Sequence, residues 1–384
     1  MRSVPRTVWA LGVVSLLMDL SSELVHALIP VYMTVVLGAS MVAVGLVEGI
    51  AEATASIAKV FSGALSDRLK RRKPIVVLGY GLAALSKPLF PLAGTLGLVL
   101  GARFMDRIGK GIRGAPRDAL IADVTPQGQR GAAFGLRQAL DTAGAILGPL
   151  AAIGLMLLFV SDVRTVLWFA VIPAVLSVAV LLIWVREPPR AQPAASGAAL
   201  FEGFAQLPRA YWMVVLLGAV LTLARFSEAF LVLRARDIGL ALAMVPAVLV
   251  VMNLAYTAVA YPAGLAADRG RRRALLVWGL LALAAADLLL ASSEGKLFFF
   301  LGIVLWGAHM GLTQGLLSTL VADAAPASLR GSAFGVFHLV SGAALLAASV
   351  LAGWLWSAFG APGTFYAGAI FTAVALAGLL FRTR

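Results

Sequence analysis

Cysteine is absent from the 384-residue chain, histidine occurs three times, and only 18 acidic residues face 31 Lys and Arg. Without cysteine there is no disulfide and no thiolate metal site. Charged residues of all kinds amount to 13%, against 61% hydrophobic, and the mean hydropathy is +0.95. No soluble globular domain of this length has such a balance. The signatures of common catalytic centres are missing too: there is no metal-protease His pair, no nucleophile elbow and no phosphate loop. Gly109-Lys110-Gly111 is too short and wrongly placed for the last of these. No enzyme activity and no cofactor is therefore expected. The net charge of +13 does not point to nucleic acid, because the basic residues fall mostly in short turns between apolar runs.

What is present is a series of apolar runs of membrane-crossing length, about 20 residues or more each. Twelve are expected: 7–37, 41–66, 74–95, 97–122, 129–159, 163–185, 210–233, 241–267, 273–293, 297–323, 329–358 and 361–381. The first follows a basic start (Arg2, Arg6), but it is longer than a signal peptide and has no small-residue cleavage site. It reads as a retained membrane helix. The Pro-, Ala- and Ser-rich stretch after span six is the one linker. The expected organisation is a six-helix bundle over 1–186, a cytoplasmic linker over 187–208 and a second six-helix bundle over 209–384. Lys and Arg concentrate in the turns after spans two (Arg68, Lys70, Arg71, Arg72, Lys73) and eight (Arg269, Arg271, Arg272, Arg273). Turns near 38–40, 96 and 360 hold none, and Arg234 and Arg236 are the exceptions. Both termini are accordingly expected in the cytoplasm.

The two halves repeat. Gly63-Ala-Leu-Ser-Asp67-Arg68 matches Gly264-Leu-Ala-Ala-Asp268-Arg269. Ala122-Asp123, Pro126, Arg130-Gly131 and Ala133-Phe134-Gly135 match the same residues 200 positions later. Two six-helix halves imply a pseudo-two-fold and a site between them.

These residues carry a resemblance. Gly-x-Leu-x-Asp-Arg followed by basic residues, after the second and eighth spans, resembles the signature loop of the major facilitator superfamily. Chain length, span number and central linker agree with it. The resemblance implies an all-α membrane protein of twelve transmembrane helices in two pseudo-symmetric bundles, working by alternating access. It implies a cytoplasmic latch formed by Gly63, Asp67, Arg68, Gly264, Asp268 and Arg269. It also implies that spans 1, 2, 4, 5, 7, 8, 10 and 11 line the cavity. The sequence departs from the family pattern at Lys70, where a second Gly is usual, and Gly270 stands one residue early. Arg103 resembles the family's fourth-helix Arg associated with proton transfer. Gly144, Gly148 and Pro149 on span five resemble the Gly/Pro helix-packing motif of its antiporters.

The polar residues inside the spans are the candidate site. Span four carries Arg103, Asp106, Arg107, Lys110, Arg113 and Arg117 within about a third of the helix circumference. A charge at mid-membrane costs at least ~2.5 kcal/mol, so this stripe must face water, acids or an anionic ligand. Span one presents Asp19, Glu23 and His26 on one face, span two Glu48, Glu52 and Lys59, span five Arg137 and Asp141. These are expected to form one charged interior in the first half, with Lys110 and Arg113 the deepest cations. Arg117 is expected to snorkel. Asp106 or Glu52 is the expected acid partner of the stripe. The second half holds Arg225, Glu228, Asn253, Tyr256, His309 and His338. Spans three and nine hold one mid-span charge each, Lys87 and Asp287.

The expected function is proton-coupled export of a small anionic or amphiphilic solute by a monomer in the bilayer of a bacterial inner membrane. Arg103, Arg107, Lys110, Arg113, Arg137, Arg225, Asn253, Tyr256, His309 and His338 would bind solute. Glu23 first, then Asp19, Asp141, Glu48, Glu52 and Asp106, would handle protons. One alternative is a divalent transition-metal exporter using Asp19, Glu23, His26 and His338. Another is a non-transporting membrane receptor.

Overall fold

The computed structural model describes residues 5–68, 71–126, 129–187, 207–326 and 329–381. Every regular element among them is helical. In chain order these are α1 (Arg6–Val31), a π-turn (Tyr32–Val36), α2 (Met41–Arg68), α3 (Lys73–Ser86), α4 (Leu89–Leu92), α5 (Leu96–Val124), α6 (Arg130–Leu158), α7 (Val163–Trp168) and α8 (Val171–Trp184). The second half has α9 (Arg209–Leu223), α10 (Ala229–Asp237), a 3-10 turn (Leu242–Met244), α11 (Ala247–Asp268), α12 (Arg272–Ser292), α13 (Lys296–Ala324) and α14 (Arg330–Phe381).

Among the described residues, nine stretches are long and apolar enough to cross a bilayer. The last of them, Ala333–Leu380, contains two crossings. Gly360 adopts φ 74°, ψ 178° inside α14, a conformation open to Gly alone, and Pro362 follows. Spans eleven and twelve therefore meet at a backbone kink with almost no loop. α5 has the length to cross, about 44 Å at 1.5 Å per residue, but its charges remove it from any test of apolarity. α3 and α4 form one crossing broken at Lys87-Pro88, and α7 and α8 form one broken near Ala170. α9 and α10 also form one crossing, where the sequence predicts a continuous helix over 210–233.

The residues cluster into two units, 1–32 with 54–202 and 33–53 with 203–384. In the first, α1 packs against α6 and α8, and α3 against α5. Its core joins Val8, Leu11, Val14 and Met18 to Val76, Tyr80, Ala174 and Leu181. In the second, α11 and α12 pack on α13, and α9 and α12 on α14. The outer faces are as apolar as the cores: Ile172, Ile183, Trp184, Trp278 and Leu297 are all exposed. A soluble chain does not tolerate such a surface; lipid does.

The first part of α2 clusters with the second unit. Gly45 and Gly49 leave no room for a Cβ, which would overlap the Ser349 carbonyl oxygen and come within 2.7 Å of Leu346, respectively. This close approach carries Glu48 and Glu52 into the second unit. The sequence expectation that they join the charged interior of the first half is corrected accordingly; Lys59, farther along α2, stays with the first unit.

Arg234 is an exception to the charge asymmetry for a structural reason. It is buried, and its guanidinium donates to the carbonyls of Leu290 (3.0 Å) and Ser293 (2.9 Å) at the end of α12 and pairs with Asp237. Its donors satisfy carbonyls at a helix end, where intrahelical partners run out.

Candidate substrate and coupling site

In the first unit the stripe of α5 lies inward. Arg103 is 0% exposed, and Asp106, Arg107, Arg113 and Arg117 are also buried. Such burial is tolerable only if each charge is paired or hydrogen-bonded, and α1, α3 and α6 supply the partners. Lys87, itself 0% exposed, donates to Asp106 Oδ1 at 2.7 Å and to Ser22 Oγ at 2.9 Å. The other Asp106 oxygen lies 3.5 Å from Arg107 Nε. Arg103 Nη2 lies 3.0 Å from His26 Nδ1. A guanidinium has no acceptor, so His26 Nδ1 must accept and carry no proton.

Farther along α5, Arg113 Nη2 is 3.5 Å from Asp19 Oδ1, and its guanidinium carbon stands 4.7 Å from the centre of the Tyr80 ring. The Tyr80 hydroxyl bonds Ser15 Oγ at 3.0 Å, and Ser15 accepts from Arg117 Nη1 at 2.7 Å. Arg117 reaches Asp118 (3.1 Å) and Asp141 (3.8 Å), and Arg137 pairs with Asp141, one turn away on α6. One continuous polar chain thus runs from Asp19 through α5 to α6.

Three expectations change here. Arg117 does not snorkel; it is locked by Ser15, Asp118 and Asp141. The acid partner of Arg113 is Asp19, not Asp106 or Glu52, because Asp106 is taken by Lys87 and Arg107. Lys110 and Arg113 are not a matched deep pair. Arg113 is buried, whereas Lys110 is exposed at the middle of α5 and makes no ion pair among the described residues. It lies within electrostatic reach of Asp19 and Lys59. Lys87, Tyr80 and Ser15 were not among the sequence candidates. Lys87 carried a usable signal, since a lone cation in an apolar span needs an acid on a neighbouring helix.

Glu23 stands one turn beyond Asp19 on α1, half-buried, and makes no ion pair among the described residues. α6 meets α1 at this level. A Cβ on Gly144 would lie 2.7 Å from the Leu16 carbonyl, and one on Gly148 2.8 Å from the Leu20 carbonyl and 2.9 Å from Glu23 Cβ. Pro149 lies inside α6 directly after Gly148. The glycines let the two backbones touch beside both acids.

In the second unit the site residues gather at the break between α9 and α10. Arg225 sits on it, half-buried, with Glu228, Glu52 and Tyr256 within electrostatic reach. His309 is buried, donates from Nδ1 to the Gly279 carbonyl at 2.8 Å and feels the Arg225 charge. The freed backbone is partly satisfied: Ser349 Oγ accepts from the Ser227 N–H at 3.3 Å, and Ser227 Oγ accepts from the Ala229 N–H at 3.3 Å. Phe226 turns into a cluster with Trp306, Phe365 and Phe230. Broken helices at mid-membrane are common where transporters bind charged solutes. Asn253 is half-buried on α11. His338 packs against the rings of Phe334 and Phe337.

The side chains of Gly63, Asp67, Arg68 and Asp268 lie outside the described residues; Gly264 and Arg269 are exposed. Beside these loops the two units carry equivalent ion pairs 200 residues apart, Arg72–Asp123 and Arg272–Asp323. In the first unit Glu187 also accepts from the backbone N–H groups of Arg72 and Lys73, while Lys73 Nζ donates to the carbonyls of Leu182 and Val185. Among the described residues no three of His, Asp and Glu come together in a way that would hold a metal ion. Asp19 is committed to Arg113, and His26 to Arg103.

Comparison with known proteins agrees with this architecture. The profile described as Major Facilitator Superfamily matches residues 11–233 and 214–384. An uncharacterised MFS-type transporter of Methanocaldococcus jannaschii is 32% identical over 362 residues, covering 92% of this chain and 89% of that protein. The inner membrane transport protein YajR of Escherichia coli is 26% identical over 388 residues, covering 96% and 81%. Among solved structures, the nucleoside transporter NupG superposes with a TM-score of 0.82 at 14% identity, over 98% of this chain and 100% of that one. At that identity the likeness concerns the fold.

Proposed function

The chain belongs to the major facilitator superfamily of membrane transporters, and from that premise we propose that it exports a small anionic or amphiphilic solute in exchange for protons, by alternating access. One observation carries the reading. In an interior where Arg103, Arg107, Arg113, Arg117 and Arg137 are all engaged, Lys59, Lys110 and Glu23 are left without ion pairs among the described residues. Of the two cations, Lys110 lies on the α5 stripe, exposed at mid-helix; the acid, Glu23, is half-buried on α1. Lys110 offers a point charge to an anionic solute, and Glu23 offers a carboxyl to a proton. Arg225 at the α9–α10 break, with Tyr256, Asn253 and His309 on neighbouring helices, is the corresponding solute surface of the second unit. Arg107, Arg113 and Arg137 add positive potential to the first.

Export is supported by the α6 glycines, which set the Gly/Pro motif directly against Asp19 and Glu23. Asp67, Arg68, Asp268 and Arg269 act as the cytoplasmic latch, next to the Arg72–Asp123 and Arg272–Asp323 pairs. The protein works as a monomer in a bacterial inner membrane with both termini cytoplasmic, and its two bundles span 1–186 and 209–384. The metal-export reading is not favoured, because Asp19 and His26 already have other partners.

The test begins with a thermal-shift screen of the purified protein against organic anions, amphiphilic drugs and divalent metals. A hit is then followed in inverted vesicles. Glu23→Gln is expected to abolish accumulation driven by a pH gradient while preserving solute exchange. Accumulation by Glu23→Gln at the wild-type level would refute Glu23 as the carrier.

A further inference from the structure

Asp287, on α12, is a buried acid for which the site above has no use. It is 0% exposed, and neither carboxyl oxygen has a hydrogen-bond partner among the described residues. Asp19, Asp106 and Asp141 each have a cation within 4 Å; among the described residues Asp287 has none. The repeat sharpens the contrast. Two hundred residues earlier stands Lys87, answered by Asp106. The position equivalent to Asp106 is Trp306, also fully buried, with its indole N–H unpartnered. The second unit therefore keeps a buried ionisable group at this position and omits the counter-charge.

The packing leaves room for the carboxyl. A Cβ on Gly368 of α14 would lie 2.7 Å from Asp287 Oδ2, so the acid rests against bare backbone. The groups facing it from the neighbouring elements do not neutralise it. On α13, His309 is bonded to the Gly279 carbonyl two turns down α12, the Thr313 hydroxyl donates to the His309 carbonyl, and Trp306 is uncharged. On α14, the Thr372 hydroxyl donates to the Gly368 carbonyl, and Tyr366 is exposed. On α11, Tyr256 faces Arg225. On α10, Arg234 is consumed by the carbonyls of Leu290 and Ser293 and by Asp237. An ionised carboxylate so placed would carry an uncompensated charge at high cost, whereas the neutral acid would not. A metal cation would need several oxygen ligands, and one carboxyl does not provide them.

We propose that the Asp287 carboxyl is a reversible proton-binding site of the second unit, separate from the Asp19–Glu23 acids of the first. The ligand is a proton, held against Gly368 between α12 and α14. This goes beyond the proposed export reaction and does not depend on which solute is carried.

The experiment is infrared spectroscopy of the purified protein between acid and alkaline pH, in H2O and D2O. Wild type and Glu23→Gln should show the C=O band of a protonated carboxylic acid, shifted in D2O and lost at alkaline pH. Asp287→Asn, which has the shape of the neutral acid, should lack that band while melting near the wild-type temperature. If Asp287→Asn fails to fold, Gly368→Ala must shift the same band, because its methyl meets Oδ2. A band retained in Asp287→Asn, unmoved in Gly368→Ala or unresponsive to pH up to unfolding overturns the proposal. So does a band abolished by sodium ion at fixed pH, which would make the site a metal-cation site. No solute enters this measurement, so its failure is distinguishable from a failure of proton-driven export, which is read in vesicles.

Discussion

Replacing Lys87 with Met tests whether the buried charges of the first unit hold the fold by pairing. The ammonium is 0% exposed and lies 2.7 Å from Asp106 Oδ1. Removing one partner of a buried pair typically costs about 3–5 kcal/mol, because the other charge is left without compensation. Lys87→Met should fall near the lower end, about 3 kcal/mol, since Asp106 keeps Arg107 at 3.5 Å. Asp106→Asn should fall near the upper end, about 5 kcal/mol, because it leaves Lys87 with only Ser22 and also removes the carboxylate beside Arg107. The double variant restores the wild-type net charge of the cluster. It should be more stable than Asp106→Asn, with a coupling energy of about 1–3 kcal/mol. The assay is equilibrium unfolding of the purified protein in mixed micelles, run as a four-member cycle. Wild-type stability in Lys87→Met, or additive effects in the double variant, would refute the claim that this pair holds α3 to α5.

The remaining predictions concern the site and the topology. Lys110→Gln should weaken binding of an anionic solute roughly 10- to 150-fold, the loss of one charge-assisted contact, at unchanged melting temperature. Arg113→Gln should instead lower the melting temperature, and Asp19→Asn should restore it, since the two side chains face each other at 3.5 Å; both are read by thermal unfolding alongside a binding assay. Gly148→Ala should destabilise by about 1–3 kcal/mol through overpacking, because its methyl would meet the Leu20 carbonyl at 2.8 Å, whereas Gly154→Ala, with nothing within 4 Å, should be silent. Reporter tags at residue 1, within 190–200 and at residue 384 should all be cytoplasmic, and an external tag at any of the three would contradict the topology.

Much of this protein is legible from local information. Length and continuity of apolar residues are enough to predict membrane helices, because a bilayer imposes one thickness on every crossing. Thus α5 and α13, 200 residues apart, are each 29 residues long. The stripe of α5 is also a local property. Periodicity alone puts Arg103, Asp106, Arg107, Lys110, Arg113 and Arg117 on one side and requires that side to avoid lipid. The repeat, the loop motif and the Gly/Pro motif are likewise strings, and they led to the family that the comparisons establish.

Pairing was not legible, because it depends on which helices touch and at what height. The sequence offers Asp106 or Glu52 to the stripe. Tertiary packing gives Asp106 to Lys87, gives Asp19 to Arg113, and carries Glu52 with the first part of α2 into the second unit. The break in span seven was hidden for the same reason: Phe226 leaves the helix to join Trp306 and Phe365, and Ser349, more than a hundred residues away, accepts a backbone N–H that the break frees. Even the two odd charges of the supporting spans look alike in sequence. Only the fold makes Lys87 one half of an ion pair and leaves Asp287 alone against Gly368, because a buried charge is defined by its neighbours in space and the chain order does not name them.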